Sequence, residues 1–156
     1  KGVNIKGIGI TGKMNEVQAA MGLLQLIHIE NIISQRKKLM QIYRKALSSI
    51  IGLRFVEEAQ NIEYNYGYFP IFIDEETFGK SRDEIYECLK SHNIHCRYYF
   101  YPLISELDEY NYNNIGSLTK YPLAYQKSKE VICIPLHPNL QPADITRITG
   151  IIKDCL

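Results

Sequence analysis

The feature that most constrains the fold of this chain is a long predicted helix whose first half is apolar almost all the way round. Asn15 is a good N-cap, Gln18 completes a capping box three residues later, and Gly52 ends the helix. Between residues 17 and 33 apolar side chains recur on every face. A helix of this kind needs more than one partner surface, so we predict that a second domain or a second subunit covers it.

From about residue 35 the same helix becomes amphipathic, as expected of a helix at the surface of one domain. Its apolar face predicts burial of Met40, Tyr43, Leu47 and Ile50. Its basic face carries Arg36, Lys37, Lys38, Arg44 and Lys45.

Beyond Gly52 the periodicity predicts a few strands separated by helices. Pro70 favours an edge position for the first strand, because proline cannot donate to a sheet ladder. This pattern predicts an α/β chain of the α+β kind, with a small, mostly antiparallel sheet and helices on one face. The predicted strands are residues 64–74, 94–101 and 131–136. One predicted helix starts at a Ser81–Glu84 capping box and ends at Asn93, and another spans about 119–129. The last follows Gln141 and has a buried stripe of Ile145, Ile148, Ile152 and Cys155.

We predict three segments: a loop at residues 1–14, the long helix at 15–51 and a C-terminal domain at 52–156. The chain starts at Lys1 without an initiator Met, and its first residues have no obvious partner within the sequence. We therefore interpret it as a piece of a longer protein.

Charge, hydropathy and cysteine usage exclude several classes of protein. The chain has 18 Lys and Arg against 17 Asp and Glu, which argues against a nucleic-acid surface. No apolar run is long enough to span a bilayer, and residues 1–13 contain no signal-peptide core. The cysteines, at positions 88, 96, 133 and 155, form no C-x-x-C pair, so we interpret them as reduced core thiols of a cytoplasmic protein.

The glycine-rich loop before the long helix predicts a phosphate site, because backbone N–H groups at a helix start and a nearby Lys attract anions. Residues 7–13 also fit the first seven positions of a nucleotide-binding P-loop, but Met14 stands where a magnesium-binding Ser or Thr is required. A flexible linker into a structural helix is the third interpretation of these residues.

The run RYYFYP at residues 97–102 predicts a second binding surface. Alternation places Arg97, Tyr99 and Tyr101 on one strand face, where they could stack on a ring and clamp a phosphate. The alternative is an aromatic sheet surface covered by a helix. His92, His95 and Cys96 match no compact zinc pattern, and His137 is interpreted as a packing residue at a strand exit.

These segments together resemble the DegT/DnrJ/StrS sugar aminotransferases. Residues 9–26 (GITGKMNEVQAAMGLLQL) resemble the family's G-x-N-x-[RK]-M-x-E-x-Q-A-A-x-G segment, and Arg36 and Tyr43 match its R…Y helix pair. Residues 97–105 (RYYFYPLIS) resemble its R-x-Y-F-x-P-L strand and loop. The runs YPLA at 121–124 and CIPLHP at 133–138 resemble its final motifs.

The resemblance implies the C-terminal part of a pyridoxal-phosphate enzyme with the aspartate-aminotransferase (type I) fold. Such an enzyme works as a homodimer, here through the region 15–33, and moves an amino group, typically from glutamate, to a nucleotide-linked keto-deoxysugar. The products serve polysaccharide, antigen or antibiotic sugar biosynthesis. The resemblance also implies that the Schiff-base lysine lies upstream of this chain, which would then carry no catalytic residue and be inactive alone.

Four positions follow from the resemblance. The family's cofactor-phosphate Asn falls at Thr11, which keeps a hydroxyl donor but loses the reach of the amide, and its basic residue falls at Lys13. Arg97 and Tyr99 fall where the family lines the substrate side. Many members have His at the position of Ile104, so that role is absent here.

Two other functions remain open from the sequence. A regulatory or assembly module that kept the fold without the reactive lysine would look the same over these residues. The P-loop nucleotide-binding protein requires magnesium binding without the usual hydroxyl at Met14.

Overall fold

The long helix begins at the predicted capping box. In the computed structural model, which describes residues 12–99, 101–107 and 120–155, helix α1 spans Glu16–Leu47. The Asn15 side chain accepts a hydrogen bond from the Gln18 backbone at 2.8 Å, and the Gln18 side chain accepts one from the Asn15 backbone at 3.1 Å. Both halves of the box are therefore formed, which satisfies two of the free donors at the helix start.

The chain divides into two compact units, Lys1–Asn31 and Ile32–Leu156. In the first unit the apolar side chains of α1 are exposed, with Val17 and Ile27 each 73% accessible. In the second unit Met40, Tyr43 and Leu47 are buried, as predicted. The division of the chain at residues 14/15 and 51/52 stays a prediction.

The sheet of the second unit has four strands, all paired antiparallel. The strands run in the order β1-β2-β4-β3, with β2 and β4 at the centre. A small antiparallel sheet is therefore confirmed, although the three-residue strand β1 was not predicted. The strand bounds are β1 Leu53–Phe55, β2 Phe69–Ile73, β3 Arg97–Tyr98 and β4 Val131–Ile134.

The prediction that Pro70 marks an edge strand is wrong. β2 is a central strand, and Pro70 lies opposite Cys133 of β4. On its other side β2 pairs with β1 only from Ile71 onward. Pro70 therefore has a neighbouring strand on one side only. Proline needs one side without a ladder partner, and Pro70 has such a side although β2 as a whole is not an edge strand.

Two of the strands are shorter than predicted. β2 starts at Phe69, not residue 64, because Tyr66 adopts a positive φ of 49° that interrupts extended backbone. Only Arg97 and Tyr98 are paired in β3, although burial alternates from Ile94 to Tyr99 as the sequence predicts.

The helices of the second unit begin at identifiable caps. The Ser81–Glu84 capping box opens α3, and Asn93 follows its C-cap with a positive φ of 59°, as predicted. Helix α2 was not predicted; it packs so closely that a Cβ on Gly52 would approach the Phe78 nitrogen to 2.5 Å. The helices are α2 Glu75–Phe78, α3 Arg82–Ser91, α4 Pro122–Glu130 and α5 Pro142–Asp154, with a 3-10 turn at Ile104–Glu106.

One hydrophobic core lies between the sheet and helices α1, α3 and α5. The face of β2 that carries Phe69, Ile71 and Ile73 is buried to 2% or less exposure, and α5 contributes the predicted stripe of Ile145, Ile148, Ile152 and Cys155. Among the described residues α4 adds none to this core. Its Lys127 lies over the ring of Phe72 on the other side of β2, so the expectation of helices on one face holds only for the helices that contribute to the core.

The prediction of four reduced cysteines is wrong for one pair. Cys88 of α3 and Cys155 at the end of α5 are disulfide-bonded, because these two helices pack against each other. Cys96 and Cys133 are free and buried, and burial raises the pKa of the Cys96 thiol to about 12. The absence of a C-x-x-C spacing therefore does not rule out a disulfide between cysteines that are distant in sequence.

Among the helices that the structure describes, none combines the length and the hydropathy that a membrane span requires.

Replacing Tyr43 by Phe is expected to stabilise the chain. The Tyr43 side chain is fully buried, and its hydroxyl has no hydrogen-bond partner among the described residues. An unsatisfied buried hydroxyl costs about 1–3 kcal/mol, so Tyr43→Phe should raise the free energy of unfolding by about 1 kcal/mol in urea titrations. Tyr43→Ala should lower it by about 3–5 kcal/mol. A loss of stability in Tyr43→Phe would mean that the hydroxyl has a partner.

Reducing the disulfide is expected to destabilise the second unit. The bond closes a separation of 67 residues, for which chain entropy gives about 4 kcal/mol. Urea titrations with and without dithiothreitol should show this loss in the wild type and in Cys96→Ser, but not in Cys88→Ser. Titration of the unfolded, unreduced chain should find two thiols; four thiols would contradict the pairing.

Candidate functional site

The first candidate region is the start of α1. Lys13 lies two residues before the N-cap Asn15, and its side chain is exposed. A cation beside a helix start is a favourable place for a phosphate group. Thr11, the other predicted cofactor residue, lies outside the described residues.

The second candidate region is the exposed side of residues 97–99, which carries Arg97 of β3 and Tyr99 directly after it. Arg97 is opposite Cys133 in the sheet and lines a cavity of about 540 Å³. Tyr99 lines a neighbouring cavity of about 320 Å³. Tyr68 lines both cavities, so the two cavities that hold the predicted substrate residues share this tyrosine.

Arg97 supplies positive charge to the larger cavity. Among the described residues no carboxylate lies within 4.0 Å of its guanidinium. Burial raises the pKa of the adjacent Cys133 thiol to about 11, while the Arg97 charge acts in the opposite direction. Arginine presents five donors in a fork suited to a carboxylate or phosphate, so this side chain can bind an anion.

The smaller cavity has an aromatic wall. The Tyr99 ring meets Tyr68 edge to face, with centroids 5.5 Å apart. Tyr64 and Tyr66 also line this cavity, and their hydroxyls are held by the Ala59 nitrogen and the Glu58 carboxylate. Such a wall can pack against a sugar or a planar ring.

The alternation predicts that Tyr101 shares a face with Arg97 and Tyr99, and this prediction is wrong. Its ring lies 6.0 Å from that of Tyr98, a residue of the opposite face. The two-residue period no longer applies because β3 ends at Tyr98. Both rings contact the guanidinium of Arg82, whose central carbon lies 4.4 Å from the Tyr98 ring centroid and 4.7 Å from the Tyr101 ring centroid.

Sequence analysis missed Arg82 because arginine is rarely buried and this one stands inside a capping box, at the start of α3. It is only 3% exposed. Its Nε and Nη2 reach the Asp83 carboxylate at 2.9 and 2.8 Å, and its Nη1 donates to the Ser128 carbonyl. No signal in a single sequence distinguishes such an arginine from a solvated one.

The alternative sites gain no support from the described residues, among which no cluster of metal-binding side chains occurs. His95 is exposed and Cys96 is buried, as expected for opposite faces of a strand. The Met14 side chain is 69% exposed and offers no oxygen for magnesium.

The described residues fit one end of pyridoxal phosphate and not the other. Lys13 suits its phosphate group. A lysine that reacts with its aldehyde needs a desolvated site that lowers the pKa, and no lysine among the described residues is buried. A hydrogen bond to the Tyr101 hydroxyl instead raises the pKa of Lys129.

A sequence profile of the DegT/DnrJ/EryC1/StrS aminotransferase family matches residues 1–153. The chain therefore belongs to this family, as the motifs predicted. It is 42% identical over 144 residues to a dTDP-4-amino-4,6-dideoxy-D-glucose transaminase of Escherichia coli, covering 92% of this chain and 38% of that protein. GDP-perosamine synthase of Vibrio cholerae is 27% identical, covering 91% and 37% of the two chains.

Solved structures share the fold. DesI, crystallised in the presence of its TDP-sugar product, superposes with a TM-score of 0.81 at 28% identity, covering 91% of this chain and 36% of that one. TlmJ from Streptoalloteichus hindustanus gives a TM-score of 0.81 at 23% identity, covering 97% and 39%. This chain thus spans about two fifths of the length of the proteins it matches.

The Tyr98 hydroxyl is expected to titrate well above an ordinary tyrosine. Burial first, and then the Asp83 carboxylate, raises its pKa from 10.0 to about 12. Because the folded-state pKa is raised, the stability that this group contributes is complete below pH 10.0 and is lost as the pH rises towards 12. Comparing tyrosinate absorbance between wild type and Tyr98→Phe should isolate a component near pH 12; one at pH 10 or below would contradict the environment described.

Proposed function

We propose that this chain is the C-terminal portion of a pyridoxal-phosphate aminotransferase with the aspartate-aminotransferase (type I) fold. The enzyme transfers an amino group, from glutamate, to a nucleotide-linked keto-deoxysugar used in polysaccharide, antigen or antibiotic sugar biosynthesis. The observation that carries the proposal is the exposed side of residues 97–99, where Arg97 and Tyr99 line two cavities that share Tyr68. Membership of a sugar aminotransferase family supports it.

Each candidate residue then has a physical role. Lys13, with Thr11, holds the phosphate of the cofactor at the start of α1. Arg97 binds an anionic group of a substrate through its guanidinium fork, and Tyr99 packs against the sugar or its base. Pyridoxal phosphate, when bound, supplies the electron sink for amino-group transfer.

The exposed half of α1 supports a homodimer of this enzyme. Apolar residues such as Val17, Leu23 and Ile27 are each more than half exposed in the first unit. An apolar surface of this extent is typical of a surface covered by another protein segment. We therefore propose that residues 15–33 contribute to the dimer. As a separate proposal, the enzyme acts in the cytoplasm.

The chain alone should neither bind the cofactor covalently nor catalyse transfer, because no described lysine is buried. Purified chain incubated with pyridoxal phosphate should lose its yellow colour on dialysis, and borohydride added after the dialysis should fix no cofactor to it. A covalently labelled lysine in this chain would contradict the proposal. If the coding sequence upstream of residue 1 lacks a reactive lysine, the module without catalysis becomes the better explanation.

In the longer protein, Arg97→Gln should weaken substrate binding. Loss of one charge-assisted anion contact predicts a KM for one of the two substrates raised by about tenfold or more. Initial rates with glutamate and a series of nucleotide-linked keto-sugars measure this. Arg54→Gln is the matched control, since Arg54 pairs with Glu130 outside both cavities. Equal effects of the two substitutions would argue against a substrate role for Arg97.

A further inference from the structure

The segment 97–101 carries the candidate substrate residues, yet of its described residues, 97–99 and 101, only two are paired in a strand. Arg97 and Tyr98 pair with β4, and the chain leaves the sheet directly after Tyr98. The sheet ladder therefore does not fix Tyr99, and some other contact must hold the segment if it is to present a constant surface to a ligand.

The Tyr99 ring itself meets Tyr68, and the residues before and after it in the segment are held by a buried cation. The Arg82 guanidinium carbon lies 4.4 Å from the centroid of the Tyr98 ring and 4.7 Å from that of the Tyr101 ring. These two tyrosines flank Tyr99 on both sides along the chain. A desolvated guanidinium over an aromatic face is a stronger contact than a surface ion pair.

Further contacts restrain both tyrosines. The Tyr98 ring stacks on Tyr86 of α3 at 4.4 Å, with 24° between the planes. The Tyr101 hydroxyl accepts a hydrogen bond of 2.7 Å from Lys129 of α4, whose ammonium also lies 4.4 Å from the Tyr101 ring centroid. The segment is thus held from α3 on one side and from α4 on the other.

Arg82 itself has little freedom. Its donors are directed to the Asp83 carboxylate and the Ser128 carbonyl, so its guanidinium joins the start of α3 to α4 while it contacts the two rings. Lysine could keep the charge but has no planar fork to reach both acceptors.

We propose that Arg82 is the positioning residue of the substrate-facing segment: by clamping Tyr98 and Tyr101 it fixes the orientation of Tyr99 between them, without touching substrate itself. This role rests on the proposed function for its consequence in catalysis. The clamp itself is a property of the chain and can be tested without any activity.

The first test measures the orientation of Tyr99 directly. The chain has 12 tyrosines and no tryptophan, so incorporation of 3-fluorotyrosine gives fluorine NMR signals that single Tyr→Phe substitutions assign. In Arg82→Met the Tyr99 signal should shift or broaden together with those of Tyr98 and Tyr101. In the control Arg54→Met, which removes a different arginine contact to α4, the Tyr99 signal should stay in place. An unchanged Tyr99 signal in folded Arg82→Met overturns the proposal.

The second test separates positioning from stability in the longer protein. Arg82→Met should raise the KM for the nucleotide-linked sugar by about tenfold with kcat changed by about twofold or less, because a misplaced binding group weakens binding before it affects chemistry. Arg82→Lys should recover part of the loss. A lower melting temperature with an unchanged KM would reduce Arg82 to a structural residue and overturn the proposal.

The two tests also distinguish this proposal from the proposed function. If the longer protein transfers no amino group, the proposed function fails, while the fluorine signals still decide the clamp. If Arg82→Met does not fold, Arg82→Gln, which also removes the cation, takes its place in both tests. An unchanged Tyr99 signal and KM in folded Arg82→Gln, combined with intact activity, would overturn the clamp and leave the proposed function standing.

Discussion

The pairing of β2 with β4 is the interaction on which the rest of the second unit depends. These central strands carry the residues that close the core, and β4 in turn is the only described partner of β3. Opposite β4, Arg97 is fixed against Cys133 and its side chain faces the larger cavity. The position of Arg97 in the binding surface therefore depends on the buried pairing of β2 with β4. Beyond the end of β3, the contacts of Arg82 with Tyr98 and Tyr101 hold the chain.

Much of this arrangement could be predicted from local sequence signals. The capping boxes at Asn15 and Ser81 gave the starts of two helices, because each is a short-range exchange of hydrogen bonds that the sequence spells out. The periodicity of 3.6 gave the buried residues of α1 and α5. Alternation along 94–99 gave the exposed side of Arg97 and Tyr99 even though little of it is strand. Family motifs then supplied the class of protein, which the residues alone left open.

The features that were missed depend on contacts distant in sequence. The partner of Cys88 is 67 residues away, and no spacing rule finds it. Pro70 has a free side only because β1 stops short of it, a detail of sheet register. Arg82 is buried by the rings of Tyr98 and Tyr101 and by a carbonyl from α4, whereas its own neighbours in sequence suggest a solvated helix start. Tertiary packing, which no short window contains, decided each case.

The bare N-terminal half of α1 also bears on how the polypeptide behaves during synthesis. This stretch leaves the ribosome before any of the strands that build the core, and its apolar side chains find no cover within the first unit. Holdase chaperones bind exposed hydrophobic segments of this kind in nascent chains. Sulfate or phosphate buffers, which favour burial of apolar surface, would drive the isolated polypeptide towards clustering at rising concentration.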